Sequence, residues 1–470
     1  MLSINDCQGF PDILAQKFPL LTILEFDLIE MPLNTFIRTQ FITRVYKSPG
    51  WMVAVALFIR LAVSFSIIGD QFSPERDNYS FGWETGRIAR SVALGDGFSS
   101  PFHVPTGPTA LMPPVYVYLV AAVFKLFGVY TLKSAVVMLT LNSLFSALTC
   151  LTVFFIANKS FGREMAIRAG WMWAMFPYAI DFAATRIWTD CLNTLLFSAL
   201  FLVALYLEDL TSLKAWLGFG LLAGLTTLVC PPALLAVSLL IIRHCYRMRQ
   251  RGRPWLWSVS LAALMMLLVV SPWFARNYRT FDCFIPFRSG FWLEMYVGNT
   301  GDTSDLMPDW AHPSTSRAEM EKYRQLGELN YMAFKRRQTL DFISAHPGGF
   351  LFLTARRFFC VWTGFWNIQL VYVEPLLALH TILMTILTIF MSVGLFKAWR
   401  SDREVVMPYM LTFLSFPLVY YVTHAHPEYR HPIDTIIVAL TVYGAHGFFA
   451  LIRGGENRKA LSLSVSASSR

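Results

Sequence analysis

The residues most suited to chemistry are acids that flank long apolar segments. Glu84 lies in FGWETGRIAR, directly before an amphipathic pattern, where its carboxylate could deprotonate a hydroxyl group. An ion pair with Arg87, one helical turn later, is an equally simple interpretation. Asp77, in the polar stretch SPERDNYS, is the second candidate for the same role. Asp190 ends RIWTD at the start of an apolar helix, where it either contacts a substrate or only complements the helix dipole.

Basic residues at the ends of apolar segments are suited to holding an anion. Arg276 leaves an apolar segment within SPWFARNYRTF, and a planar guanidinium group there fits a phosphate. Arg186 and Arg430 are expected at the same level and could assist it, although such residues often serve only as anchors. The loop HAHPEYRHP is rich in histidine but lacks i, i+4 spacing, so no metal site is predicted.

Composition identifies the elements that must position these residues. The chain has 470 residues, of which 55% are apolar and 15% charged, and its mean hydropathy is +0.48. Several apolar runs approach the twenty residues that a helix needs to cross a hydrocarbon layer about 30 Å thick. A cytosolic globular enzyme and a disordered chain are therefore excluded. The net charge of +9 comes from basic clusters beside these runs, which indicates membrane topology and no nucleic acid partner.

We predict an all-α membrane protein with about ten spanning helices and both chain ends in the cytoplasm. The short segment 113–128 is assigned to the membrane surface, because every basic cluster then falls on the cytoplasmic side. Amphipathic segments in the outer loops are also expected to lie on the membrane surface. The predicted spans are 51–69, 132–157, 164–184, 190–207, 214–229, 231–244, 256–274, 374–397, 405–423 and 433–453.

The predicted organisation is one membrane domain between two polar ends. Residues 1–49 form a cytoplasmic or interfacial segment, and residues 50–453 form the transmembrane domain. Its large non-cytoplasmic loops cover residues 70–131 and 275–373. Residues 454–470 form a cytoplasmic polar tail that is expected to be disordered.

A family resemblance rests on short motifs in chain order. GDGFSSPF and TGPTALMPPVYVYLVAAVFKLFG follow the first outer acids, and FGRE, RIWTD, RNYRTF, YVGN and YRHPID come later. Together they resemble the GT-C membrane glycosyltransferases, and more narrowly the bacterial relatives of protein O-mannosyltransferases and of the lipid A aminoarabinose transferase. The resemblance covers about residues 50–450.

The resemblance implies a hexosyl or pentosyl transferase that takes a sugar from a polyprenyl-phosphate donor. It implies inversion and an active site on the non-cytoplasmic face of the cell (inner) membrane. The implied acceptor is a lipid, a glycan or a protein, and membrane lipids are further partners. No cofactor is indicated, and a divalent metal stays open as an alternative. Family members usually place an Asp where this chain has Phe81 and Gly82, so the catalytic role passes to Glu84 or Asp77. The implied substrate-binding residues are Asp190, Arg186, Arg276, Tyr278, Glu294, Tyr429 and Arg430.

Two other functions compete with this one. A transporter or lipid flippase would also span the membrane many times, but it predicts paired halves or interrupted helices at matching positions, which the sequence lacks. The absence of Walker A, GxGxxG, GxSxG and HExxH motifs disfavours ATP-driven transport. A noncatalytic assembly protein on the same scaffold is the third interpretation.

Overall fold

The structure is a computed structural model that describes residues 43–72, 78–207, 212–300, 308–366 and 375–467. The chain divides into two units, Met1–Lys47 and Ser48–Arg470, and all helices given below belong to the second. Apart from short 3-10 turns and an isolated β-bridge between Ser99 and Pro108, the regular elements of the described ranges are α-helices.

The helices are numbered here in chain order. They are α1 (Pro49–Gln71), α2 (Glu84–Leu94), α3 (Pro114–Phe127), α4 (Leu132–Phe161), α5 (Arg163–Ala174), α6 (Pro177–Ala184), α7 (Asp190–Leu207), α8 (Leu213–Thr227), α9 (Ala233–Gln250), α10 (Leu256–Phe281), α11 (Phe291–Gly298), α12 (Arg317–Ala345), α13 (Pro347–Thr363), α14 (Pro375–Ser401), α15 (Arg403–Ser415), α16 (Leu418–Val422) and α17 (Pro427–Ala467).

The predicted all-α membrane fold is confirmed. Six segments of the described residues are long and apolar enough to cross a bilayer: Pro49–Gln71, Leu132–Phe161, Asp190–Leu207, Leu256–Phe281, Ala378–Ser401 and Arg403–Val422. The remaining predicted spans coincide with α5 and α6, with the shorter helices α8 and α9, and with α17.

Two details of the prediction are wrong. The predicted span 164–184 is broken between α5 and α6, where Pro177 begins the second helix. The predicted span 405–423 agrees with the candidate span Arg403–Val422, although its helix pauses at Pro417 between α15 and α16. A proline supplies no backbone N–H, so a helix readily breaks and restarts there. The tail after Gly454 is helical as far as Ala467, where α17 ends.

Helix α3 covers the segment assigned to the membrane surface. Its 14 residues are about 21 Å long, which is shorter than a hydrocarbon layer. It buries Tyr116 and Phe124 in a cluster shared with Phe81 and with Ile88 of α2. These contacts join α3 to the amphipathic helix α2, and the position of α3 at the membrane surface stays a prediction.

Helices α14 and α17 approach closely through two glycines. A Cβ atom added to Gly394 would lie 2.1 Å from the carbonyl oxygen of Leu440, and one added to Gly444 would lie 2.1 Å from that of Phe390. Small residues allow such close backbone contact between membrane helices. This contact fixes α17, whose first turns carry the polar motif YRHPID.

Arg60 lies on α1, and its side chain bonds to the backbone at the break between α5 and α6. Its guanidinium group donates to the carbonyl oxygens of Ala174 (2.9 Å) and Trp173 (3.2 Å), which are the last of α5, and to the hydroxyl of Ser146 (2.8 Å). Ser146 in turn donates to Ala179 of α6 (3.0 Å). The arginine therefore supplies a donor to the carbonyl group of Ala174 at the helix break, and it shares the carbonyl group of Trp173 with the backbone N–H of Phe176.

Candidate active site

Glu84 is the first residue of α2, and its carboxylate accepts a hydrogen bond from the hydroxyl of Ser314. Arg87 instead donates to Nδ1 of His103 (3.1 Å), and the described residues contain no ion pair between Arg87 and Glu84. The His103 ring also lies 3.3 Å from the carbonyl oxygen of Ser314. The ion-pair interpretation of Glu84 is thus wrong, and the carboxylate faces a hydroxyl donor.

A close backbone contact brings the turn before Glu84 against the RIWTD motif. The backbone N–H of Ile187 donates to the carbonyl oxygen of Ser80 (2.7 Å). Gly82 has φ +83°, and a Cβ atom there would lie 2.6 Å from the carbonyl oxygen of Ile187. Only glycine readily adopts this positive φ and also leaves room for the carbonyl oxygen. The contact places the start of α2 beside the segment that carries Arg186.

Arg186 lies among acids from three segments. Its guanidinium nitrogens lie 3.5 Å from Glu428 and 3.8 Å from Asp181, and its charge also acts on the buried Asp190. One carboxylate oxygen of Asp190 has no hydrogen-bond partner in the described part of the chain. Burial acts to raise the pKa of Glu428, but His426 (3.3 Å) and Arg186 outweigh burial and hold that pKa below its ordinary value. Glu428 is therefore ionised at neutral pH.

A second group of polar side chains surrounds His424. Arg288 forms an ion pair with Glu294 (2.6 Å), and the other oxygen of Glu294 lies 3.5 Å from Nδ1 of His424. The hydroxyl of Tyr429 bonds with Nε2 of His424 (2.6 Å), and the Tyr429 ring stacks on Tyr420 at 4.6 Å. Burial lowers the pKa of His424, so its imidazole is neutral near pH 7. Burial acts to raise the pKa of Glu294, but Arg288 and His424 hold it below its ordinary value.

The YVGN motif positions this second group. The side chain of Asn299 donates to the carbonyl oxygen of Val422 (2.9 Å) and accepts from Arg357 (2.8 Å). Arg357 also donates to the carbonyl oxygen of Val422 (2.7 Å). These bonds fasten the end of α11, which carries Glu294, to the turn that carries His424.

The two groups form one cluster, because residues 424–429 contribute to both. The charges of Glu294 and Glu428 both act on His424, and those of Asp190 and Arg288 act on Tyr429. We call the whole set the outer charge cluster. Its members are Asp181, Arg186, Asp190, Arg288, Glu294, His424, His426, Glu428 and Tyr429.

Arg276 and Tyr278 lie on the last turns of α10. The Arg276 guanidinium donates to the carbonyl oxygens of Thr109 (2.7 Å) and Phe98 (2.8 Å), and it contacts the rings of Phe98 and Trp273. It therefore fastens the loop between α2 and α3. Tyr278 is 56% exposed.

Arg430 is buried within the helix bundle. It pairs with Asp434 one turn later (2.7 Å) and donates to the carbonyl oxygen of Trp362 (2.7 Å). These bonds join α17 to α13. Its expected role beside a substrate stays a prediction.

Of the residues expected in a site, Asp190, Arg186, Glu294 and Tyr429 come together. Glu84 lies beside them through the contact at Ile187, and Asp77 lies outside the described residues. The sequence drew attention to the segments that carry Arg288, His424 and Glu428 but assigned these residues no role in the site, and it did not single out Ser314. The crowded motif HAHPEYRH signalled two of these, whereas nothing local marked Ser314. Among the described residues, no group of three or more His, Cys, Asp or Glu side chains is arranged to hold a metal ion.

Comparisons with known proteins agree with this architecture. Residues 112–274, about a third of the chain, match the family described as dolichyl-phosphate-mannose-protein mannosyltransferase. The oligosaccharyltransferase of Archaeoglobus fulgidus, solved in complex with Zn and sulfate, superposes with a TM-score of 0.51 at 12% identity. That superposition covers 88% of this chain and 51% of the archaeal one. The chain has the GT-C fold.

The resemblance to GT-C proteins is thereby confirmed. The prediction that the chain is a multi-pass membrane protein is confirmed as well. The chain spans about half the length of the archaeal enzyme, so the likeness concerns the fold alone. ArnT from Cupriavidus metallidurans bound to undecaprenyl phosphate is more distant, with a TM-score of 0.37 and 16% identity over 86% of this chain and 79% of that one. No curated protein sequence matches the chain.

Proposed function

We propose that this GT-C protein transfers a sugar from a polyprenyl-phosphate donor to an acceptor hydroxyl on the non-cytoplasmic side, with inversion. The outer charge cluster is the observation that carries the proposal. Ionisable groups gathered at the ends of apolar helices are costly to bury, and they are typical of sites that bind or transform a polar group. The matched family is named for a transferase with a dolichyl-phosphate-linked donor, which supports a lipid phosphate as the leaving group.

Glu84 is the proposed base. Its carboxylate already accepts a hydrogen bond from a hydroxyl group, that of Ser314, so it is oriented to receive one from an acceptor. The acceptor oxygen attacks the anomeric carbon, its proton passes to Glu84, and the bond from that carbon to the phosphate oxygen breaks. Asp77 remains the alternative base.

Arg288 and Arg186 are the proposed contacts of the leaving phosphate. Arg288 donates to Glu294 through Nη2, while its buried Nε has no hydrogen-bond partner in the described chain. Arg276 is proposed to act indirectly, by holding the loop that it binds. Asp190, with its unpaired oxygen, is placed to accept a hydrogen bond from the sugar or the acceptor. Because a phosphate already leaves readily, such positioning and charge stabilisation supply most of the rate.

Sugar release from the lipid tests the proposal. Purified protein in liposomes is supplied with polyprenyl phosphates that carry labelled hexoses or pentoses, and the label remaining on the lipid is followed. We expect cleavage by the wild type, its loss in Glu84→Gln, and its retention in the exposed control Arg279→Lys. A flippase would move the label across the bilayer without cleaving it. Absence of cleavage with every donor, by protein that binds polyprenyl phosphate, would refute the transferase.

A further inference from the structure

An arginine-rich turn lies at the opposite end of α10 from the outer charge cluster. Helix α10 has 26 residues and is about 39 Å long, so its two ends lie on opposite sides of a bilayer. The name arginine-rich turn is used here for RHCYRMRQRGRPWLW, which covers the last two turns of α9, the loop that follows and the first residues of α10. Its five arginines are Arg243, Arg247, Arg249, Arg251 and Arg253.

Positive charge exceeds negative charge at this end of the bundle. Glu404 is 3.1 Å from Arg243 and also pairs with Arg247, so these two arginines face an acid. Arg249, Arg251 and Arg253 follow on the exposed part of the turn. Among the described residues, the other connections at this end carry the basic residues Lys159, Arg163, Arg168, Lys214, Lys397, Arg400 and Arg403 and the acids Glu164 and Asp402. The turn therefore favours an anionic ligand.

A shallow, open cleft of about 530 Å³ lies on the same turn. Arg253, Trp255, Trp257 and Ser260 are among the residues that line it. Trp257 is 68% exposed and Leu256 is 64% exposed, so large apolar side chains stand directly beside the guanidinium groups. Exposed tryptophan next to arginine is unfavourable in water but is typical of the layer where lipid headgroups meet acyl chains.

We propose that this cleft binds an anionic phospholipid of the membrane leaflet on that side. The exposed arginines contact the phosphate, and the two tryptophans pack against the glycerol backbone and the first acyl carbons. A soluble anion would use the charges but would leave the apolar wall in water. The site is independent of the proposed transferase activity, because it lies at the other end of the bundle.

Lipid retention by the full chain in detergent tests this proposal. Phosphatidylglycerol and phosphatidylcholine with identical acyl chains are titrated in turn, and bound lipid is counted by native mass spectrometry. We expect the wild type to retain phosphatidylglycerol preferentially. Each arginine neutralised among Arg249→Gln, Arg251→Gln and Arg253→Gln is expected to weaken that binding about fivefold. The matched control replaces three arginines of α12, as Arg317→Gln, Arg324→Gln and Arg337→Gln, and keeps the preference.

Three results would overturn the site. These are equal retention of both lipids by the wild type, an unchanged preference in the folded triple variant, and equal competition by glycerol phosphate, which would indicate a soluble ligand. Thermal unfolding establishes whether the triple variant is folded. If the triple variant is not folded, the three single variants are measured instead, and each must show weaker binding of phosphatidylglycerol than the wild type. Trp257→Ala keeps every charge and is expected to reduce retention of both lipids.

Discussion

Replacement of Arg288 by lysine tests the proposed phosphate contact most directly. The lysine keeps a positive charge beside Glu294, so the ion pair that fixes α11 survives the change. It loses the planar fork, in which one nitrogen is committed to Glu294 and the buried Nε is unpaired. The variant therefore separates binding of a ligand from folding of the site.

The expected magnitude follows from the loss of one hydrogen bond to a charged group. Such a bond contributes about 1.5–3 kcal/mol, which corresponds to a loss of roughly 10- to 150-fold in affinity. The free energy of unfolding should change much less, because the charge opposite Glu294 is retained. A weaker donor complex with nearly unchanged stability is the expected signature.

Binding of a short-chain polyprenyl phosphate to purified protein in detergent provides the assay. Titration calorimetry gives the dissociation constant, and a thermal unfolding curve of the same sample reports folding. Arg279→Lys is the matched control, since Arg279 lies on the same exit from the membrane and is exposed. Unchanged affinity in Arg288→Lys, or an equal loss in Arg279→Lys, would refute the assignment.

Three further predictions concern the base, the loop and the buried histidine. Glu84→Gln should lower transfer by roughly two to four orders of magnitude while donor binding persists; if Asp77→Asn has this effect instead, the roles are reversed. Arg276→Lys should lower the unfolding temperature, because the carbonyl groups of Thr109 and Phe98 lose a donor, and it should change donor affinity little. Thermal unfolding curves and binding titrations of the same samples check this. Burial holds the pKa of His424 below 6.5, so the unfolded chain takes up the proton first as pH falls. Stability should then decrease below about pH 6.5, with a shallower decrease in His424→Gln across a series of unfolding curves; equal slopes would contradict it.

The fold could largely be predicted because long apolar runs have few alternatives in a membrane. The segment 132–157 became α4, and the segment 256–274 became most of α10. The break between α5 and α6 was harder to see. The apolar run continues through it, and the arginine that satisfies the broken helix comes from α1, more than a hundred residues earlier.

The site could be predicted only where the chain itself brings residues together. Asp190 and Arg186 lie four residues apart, and Tyr429 lies in a motif already crowded with polar side chains. The contact of Ser314 with Glu84 joins positions 230 residues apart. No local pattern encodes such a contact, because it depends on how the outer loops fold over one another.

Arginine shows why residue type and position were not enough to assign roles. A helix that breaks inside a membrane leaves carbonyl groups that water cannot reach, and an arginine from a neighbouring helix satisfies them. Arg60 and Arg357 each do this through two or more backbone bonds, and Arg430 does so beside an ion pair. In the sequence these residues resemble Arg288, since all lie in or beside apolar segments. Arg288 differs from these three in its bonding: in the described part of the chain it donates to the carboxylate of Glu294 and to no backbone carbonyl group, and its Nε has no partner, which is why we propose it as a ligand contact.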